Sequence, residues 1–247
     1  MFQRRLQYFP SRQPVRLPVG ERFDRLEAVE LQTDDSLTVH AWYWPGTRPM
    51  TLVIFHGNGG DRSHRLDWME QFHRLGLGVF IVDYRGYGGS EGSPTEEGLY
   101  RDAEASIRWL EERDSGKLVF VGESLGSGVA VEMALRHPPA ALIIQSGFSS
   151  AVDVARSVYW FLPVGLLMSD RFDSIRKIGD VTAPLLQIHG EADSVVPVEF
   201  GRRLFDAAAE PKVWLGIPGG DHNDGIWMGD KGNVEAVDSF LREWVGG

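Results

Sequence analysis

Six short, uninterrupted apolar runs punctuate this chain: TLVIF (51–55), VFIV (79–82), KLVFV (117–121), ALIIQ (141–145), LLQIH (185–189) and KVWLGI (212–217). Bounded by Gly, Pro or Asp, they read as strands buried on both faces of a parallel sheet. Parallel neighbours need long crossovers. Segments with helical character lie at 62–75, 95–113, 125–136, 198–208 and 233–245. In 95–113, Thr95 stands as N-cap, Glu96 and Glu97 suit the positive end of the helix dipole, and Leu99, Ala103, Ile107 and Leu110 recur at helical spacing. Gly98 occupies the place where a capping box would put Glu or Gln. Ahead of the runs, LEAVELQT (26–33) and SLTVHAWYW (36–44) partly alternate about Asp34–Asp35, which predicts an antiparallel hairpin. The fold class is therefore α/β: a doubly wound, mostly parallel sheet with an N-terminal antiparallel hairpin.

At 247 residues, 43% hydrophobic and 24% charged, the chain is expected to form a single globular domain over 1–247. A net charge of −10 argues against a nucleic-acid partner. Cysteine is absent, which removes disulfides, a thiol nucleophile and any Cys-based zinc site. The first 20 residues run against the average. They hold Arg4, Arg5, Arg12 and Arg16 and no acid, leaving −14 on the remainder. Pro10, Pro14 and Pro18 oppose a helix there. Residues 1–25 are read as a basic, extended arm on the domain; the alternative is a peripheral membrane contact through Phe2, Tyr8 and Phe9 beside the arginines. There is no apolar h-region and no run of 18 apolar residues, so no transmembrane segment is expected and the reading is cytoplasmic. Nothing in the pattern specifies an oligomeric state.

The stretch between ALIIQ and LLQIH is longer than a usual crossover and carries VYWFLPVGLLM (158–168) at its centre. Residues 148–180 are read as a small lid over a pocket at the C-terminal ends of the strands. On that reading Trp160, Phe161 and Leu162, with Leu166 and Leu167, line an acyl pocket, flanked by Tyr159 and Met168. The alternative is that they only seal the core.

Two Gly-x-Ser-x-Gly motifs occur, Gly122-Glu123-Ser124-Leu125-Gly126 and Gly88-Gly89-Ser90-Glu91-Gly92. A nucleophile elbow needs a strand running into the serine and a helix starting just after it. Ser124 follows KLVFVG and precedes a helical pattern, whereas Ser90 sits in a loop broken by glycines and Pro94. Ser124 is the expected nucleophile. A serine hydroxyl needs a base, and the base an orienting acid. Of the histidines downstream, His137 ends a helix, His189 closes a strand, and His222 lies in a Gly-rich loop after the last strand, where a base can swing over the serine. Asp193, in the turn beyond LLQIH, is the expected acid, with Glu191 its neighbour and rival. For the oxyanion, the expected donors are the Leu125 amide and the Asn58 amide in the glycine-rich loop after TLVIF. His56 is read as a brace for that loop. No His-x-His or His-x-x-x-His spacing suggests a metal, and Gly86-Tyr87-Gly88-Gly89 opens no helix, so no cofactor is expected.

HGNGGD, DYRGYGGSEG, GESLGSG, HGEADSVVP and GGDHND stand in the order of the α/β-hydrolase superfamily. The chain resembles its serine-hydrolase branch with an HGN oxyanion loop and a DYRGYG loop, some animal members of which are protein depalmitoylases. The resemblance runs from about Tyr8 to Trp244. It implies Ser124, Asp193 and His222 as a triad and Asn58 and Leu125 as oxyanion donors. Many members carry a membrane anchor ahead of a QYFPSR-like segment, and this chain begins almost at that segment. The expected activity is hydrolysis of carboxylic esters with short to medium acyl chains on a small-molecule substrate. Thioesters are the alternative, and a peptidase or an inactive binding module are further readings.

Overall fold

A computed structural model describes residues 4–224 and 231–246. Phe2, one of the aromatic residues of the alternative membrane contact, lies outside the described residues. Eight strands form one sheet: β1 (Glu27–Gln32), β2 (Thr38–Trp44), β3 (Met50–Phe55), β4 (Gly78–Asp83), β5 (Lys117–Glu123), β6 (Ala141–Gln145), β7 (Leu185–Gly190) and β8 (Lys212–Ile217). Their spatial order is β8-β7-β6-β5-β3-β4-β2-β1. The β1–β2 hairpin joins antiparallel through β2 and β4, and every other pairing is parallel. This is the expected α/β architecture.

The apolar runs are buried on both faces, and each face carries its own helical layer. Along β4, Phe80 and Val82 join a core with Leu99 and Ala103 of α2 (Glu96–Glu112) and Val129 of α3 (Leu125–Arg136). Val79 and Ile81 join the opposite core with Met69 and Phe72 of α1 (Leu66–Arg74) and Val237 and Leu241 of α6 (Lys231–Trp244). Between these lie α4 (Ala151–Val158) and α5 (Val198–Ala207). Period-2 side-chain alternation thus feeds two cores from one continuous apolar run.

The cap of α2 shows why its box is incomplete. The Thr95 hydroxyl accepts the Gly98 amide at 2.9 Å. A Cβ on Gly98 would lie 2.4 Å from the Arg85 side chain. That side chain passes there to reach Asp102 at 2.8 Å and Asp35 at 2.8 Å, tying the hairpin turn to α2. Packing of Arg85 therefore excludes the capping glutamate.

The N-terminal arm is not extended throughout. Arg4–Gln7 makes one helical turn, ahead of Pro10, and Phe9–Pro10 then pairs in parallel with Gly59–Gly60. Asp170 anchors the turn, accepting the Arg4 guanidinium at 2.8 Å and the Tyr8 hydroxyl at 3.3 Å. No helix among the described residues is long and apolar enough to cross a membrane.

Candidate active site

Strand β5 runs through Glu123 into Ser124, and α3 begins at Leu125. Ser124 has φ 49° and ψ −114°. A non-glycine residue in this region costs about 1–3 kcal/mol and persists only where its surroundings over-determine it. They do so here. A Cβ on Gly126 would fall 1.9 Å from the Phe55 carbonyl, and one on Gly122 would meet Ala130 and Ser127. Glycine at both places lets the turn close tightly enough to present the serine at the sheet's C-terminal edge.

The loops after β7 and β8 bring the other two residues to it. His222 Nε2 lies 3.0 Å from Ser124 Oγ. On the far side of the ring, His222 Nδ1 is 2.8 Å from Asp193 Oδ2 and 3.0 Å from Oδ1. A carboxylate only accepts, so Nδ1 carries the proton and Nε2 is left to accept from the serine hydroxyl. Burial pushes the Asp193 carboxyl up. Hydrogen bonds from His189 and His222 and the backbone amides outweigh it and hold the acid well below the usual carboxylate range. The Val195 and Val196 amides donate to Asp193 Oδ1 at 2.9 and 2.7 Å.

Two residues near this arrangement were not singled out for it by the sequence. His189 is fully buried behind Asp193, with Nε2 3.4 Å from Asp193 Oδ2 and 2.9 Å from the Val196 carbonyl. Asp221 accepts the Ser194 amide at 2.7 Å and the His222 amide at 2.7 Å, joining the loop of Asp193 to the loop of His222. His189 reads in the sequence only as the end of a strand, and the Asp221–Ser194 contact joins two loops 27 residues apart, so neither carries a signal for this role.

The loop after β3 is held over the elbow. Glu123 accepts the Gly57 amide at 3.0 Å and pairs with Arg65 at 3.1 Å. The Asn58 carbonyl accepts the Phe9 amide at 2.9 Å and the Tyr87 hydroxyl at 2.9 Å. The backbone N–H groups of Asn58 and Leu125 have no protein acceptor among the described residues, and both residues line the cleft with Ser124. His56 is fully buried beneath this loop, with Nδ1 2.7 Å from the Gly57 carbonyl, and burial pushes its pKa down to about 3. Ser90 is buried and structural: it donates to the Asp83 carbonyl and accepts the His40 amide, both at 2.9 Å.

Ser124 opens into a cleft of about 580 Å³. Leu162, Leu167, Tyr159 and Met168 line it, as do Val158 and Phe148. Trp160, Phe161 and Leu166 do not, which corrects the expectation for those three. They are 82%, 64% and 89% exposed. The physical reason is local. The Leu162 amide bonds back to the Tyr159 carbonyl at 3.0 Å, which puts Trp160 and Phe161 at the outer tip of a turn. In the one-turn helix Val164–Leu167, positions 164, 167 and 168 share a face, and Leu166 points the other way. Unforeseen from the sequence, Leu6, Gln7 and Phe9 of the arm form part of the cleft wall.

The family described as "alpha/beta hydrolase fold" matches residues 51–162, a span holding all but the first residue of β3, the loop with Asn58 and the turn at Ser124. An uncharacterised protein of Mycobacterium tuberculosis is 42% identical over 98% of this chain and 88% of its own length. The chain belongs to the α/β-hydrolase family. The lysophosphatidylserine lipase ABHD12 of Danio rerio is 36% identical over 69% of this chain, which spans about half of that relative (51%). Among solved structures, the Pyrococcus furiosus esterase Pf2001 superposes with a TM-score of 0.79 at 22% identity, covering 96% of this chain and all of that one. It shares the fold of this α/β-hydrolase.

Proposed function

We propose that this α/β-hydrolase is a serine hydrolase that cleaves carboxylic esters of short to medium acyl chains. The observation that carries the reading is the unbroken line Asp193–His222–Ser124, at 2.8 and 3.0 Å, at the head of an apolar cleft. Ser124 Oγ attacks the acyl carbon as His222 Nε2 takes its proton. The Leu125 and Asn58 amides receive the oxyanion, a contribution typically worth about 10²–10³ in rate per donor. The C–O bond to the alcohol then breaks, and His222 protonates the departing oxygen. Water, deprotonated by the same imidazole, hydrolyses the acyl-enzyme and releases the acid. Asp193 holds the ring in the required tautomer. No step calls for a cofactor. The 148–180 segment acts as the lid, with Leu162 and Leu167 against the acyl chain. The cleft volume falls within the usual range for a small-molecule site.

The test is hydrolysis of p-nitrophenyl esters from acetate to palmitate by wild type beside Ser124→Ala. Turnover that peaks below the long chains and falls by at least about 10⁴-fold in the variant supports the reading. A folded wild type that labels with a fluorophosphonate yet leaves every oxygen ester intact would move the assignment to thioesters. A folded protein that neither turns over nor labels is a binding module instead.

A further inference from the structure

Fourteen large apolar side chains are exposed among the described residues. Six of them, including Leu6, Phe9 and Leu167, line the cleft. Three more, Trp160, Phe161 and Leu166, stand on the same 158–168 segment with their side chains in solvent. The exposed apolar surface is thus gathered around one opening, which water alone does not favour.

The charge around this rim differs from that of the whole. The chain carries −10, yet its first 20 residues carry four arginines and no acid. Arg4 is held by Asp170, but Arg5 and Arg12, which flank Leu6 and Phe9 in sequence, are exposed and make no ion pair among the described residues. Nearby acids are engaged. Asp170 is bound by Arg4 and Tyr8, and Asp153 by Ser149 and Arg203. Apolar rim residues next in sequence to exposed arginines that make no ion pair among the described residues fit an interface where acyl chains lie beneath anionic headgroups.

We propose that this rim docks on the surface of an anionic lipid bilayer, with Trp160, Phe161 and Leu166 entering the headgroup region and Arg5 and Arg12 facing the anionic charge. The cleft mouth then opens onto the lipid, and an acyl chain can pass from bilayer to Ser124 without crossing water. The proposal goes beyond the hydrolase reading and does not need it: the Ser124→Ala variant should dock as wild type does, so loss of hydrolysis and loss of docking are read separately.

The test is partition onto phosphatidylcholine vesicles doped with phosphatidylglycerol, followed by flotation, for wild type and for the triple variant Trp160→Ser, Phe161→Ser, Leu166→Ser. The triple variant should partition at least about tenfold less, since three partly inserted apolar side chains are worth more than 1.4 kcal/mol together. Its rate on water-soluble p-nitrophenyl acetate should stay that of wild type, because none of the three lines the cleft. Arg5→Gln with Arg12→Gln should weaken partition onto the anionic vesicles but not onto pure phosphatidylcholine. Wild-type protein that stays off the vesicles at low ionic strength would overturn the proposal. So would equal partition of the triple variant, or a rim that buries itself in a dimer lost in that variant while vesicle binding is absent.

Discussion

Glu123 precedes Ser124 in the chain, and its carboxylate accepts the amide of Gly57, one residue ahead of Asn58, at 3.0 Å. The same carboxylate meets one edge of the Arg65 guanidinium, through Nε and Nη2, at 3.1–3.2 Å. One nearly buried ion pair thus joins the elbow to the loop that faces it. Removing one member strands the other charge. Glu123→Ala and Arg65→Ala should each lower stability by about 3 kcal/mol, and the double variant should lose clearly less than the two losses added. Urea unfolding of the four proteins measures this. Strict additivity would mean the pair does not act as a unit.

Asp193→Asn preserves the shape of the acid but not its charge. With a side-chain NH₂ in place of one oxygen, His222 is no longer held with its proton on Nδ1. The expected loss in kcat is about 10⁴-fold with little change in KM. Circular dichroism and thermal unfolding should remain close to wild type. A loss confined to KM would remove Asp193 from the proposed mechanism.

The cleft wall makes a prediction about substrate length. Leu167 faces the cleft and Trp160 does not. Leu167→Trp should therefore move the p-nitrophenyl ester optimum to shorter chains. Trp160→Ala should leave the optimum of soluble esters where it is. Measuring kcat/KM across the series for both variants decides it, and an optimum moved by Trp160→Ala alone would reverse the assignment of faces.

His56 couples stability to pH. Burial lowers its folded pKa from 6.5 to about 3, so the unfolded state binds the proton first. Stability contributed by the neutral ring is complete above pH 6.5 and is lost as pH falls from 6.5 toward 3. At pH 5 the loss is about 2 kcal/mol. Urea midpoints of wild type and His56→Gln across this window should converge as pH falls, because the variant lacks this proton. Parallel curves would show that His56 does not contribute the slope.

The strand runs were legible because burial on both faces leaves a compositional mark that needs no partner to be seen. Ser124 was legible through its neighbours: a strand before it, and glycines at 122 and 126 where a Cβ would collide with Ala130 or the Phe55 carbonyl. His222 and Asp193 followed from chain order and loop position. Faces were harder. The run 158–168 is apolar throughout, so composition could not tell Leu167, which turns inward, from Leu166, which turns out; a turn closed by the Leu162 amide and a single helical turn decide that. The arm's share of the cleft was hidden for another reason. Leu6 and Phe9 reach it through pairing with Gly59–Gly60, a contact across some fifty positions with no periodicity to betray it.

The loop around Asn58 is fastened on both sides. Glu123 holds the amide before it, and Phe9 and Tyr87 hold its own carbonyl. The peptide planes on either side of the one that carries the Asn58 N–H are therefore fixed, and His56 Nδ1 meets the Gly57 carbonyl of that middle plane at 2.7 Å. The orientation of those dipoles is acquired when the chain folds, so in the proposed mechanism a substrate meets a rigid template instead of having to shape one. Phe9 and Ser11, whose amides donate to the Asn58 and Gly60 carbonyls, are part of that scaffold. Phe9→Pro, which removes the donor to the Asn58 carbonyl, should consequently be felt as slower turnover at saturating substrate, although Phe9 is far from Ser124 in the chain and exposes half its surface.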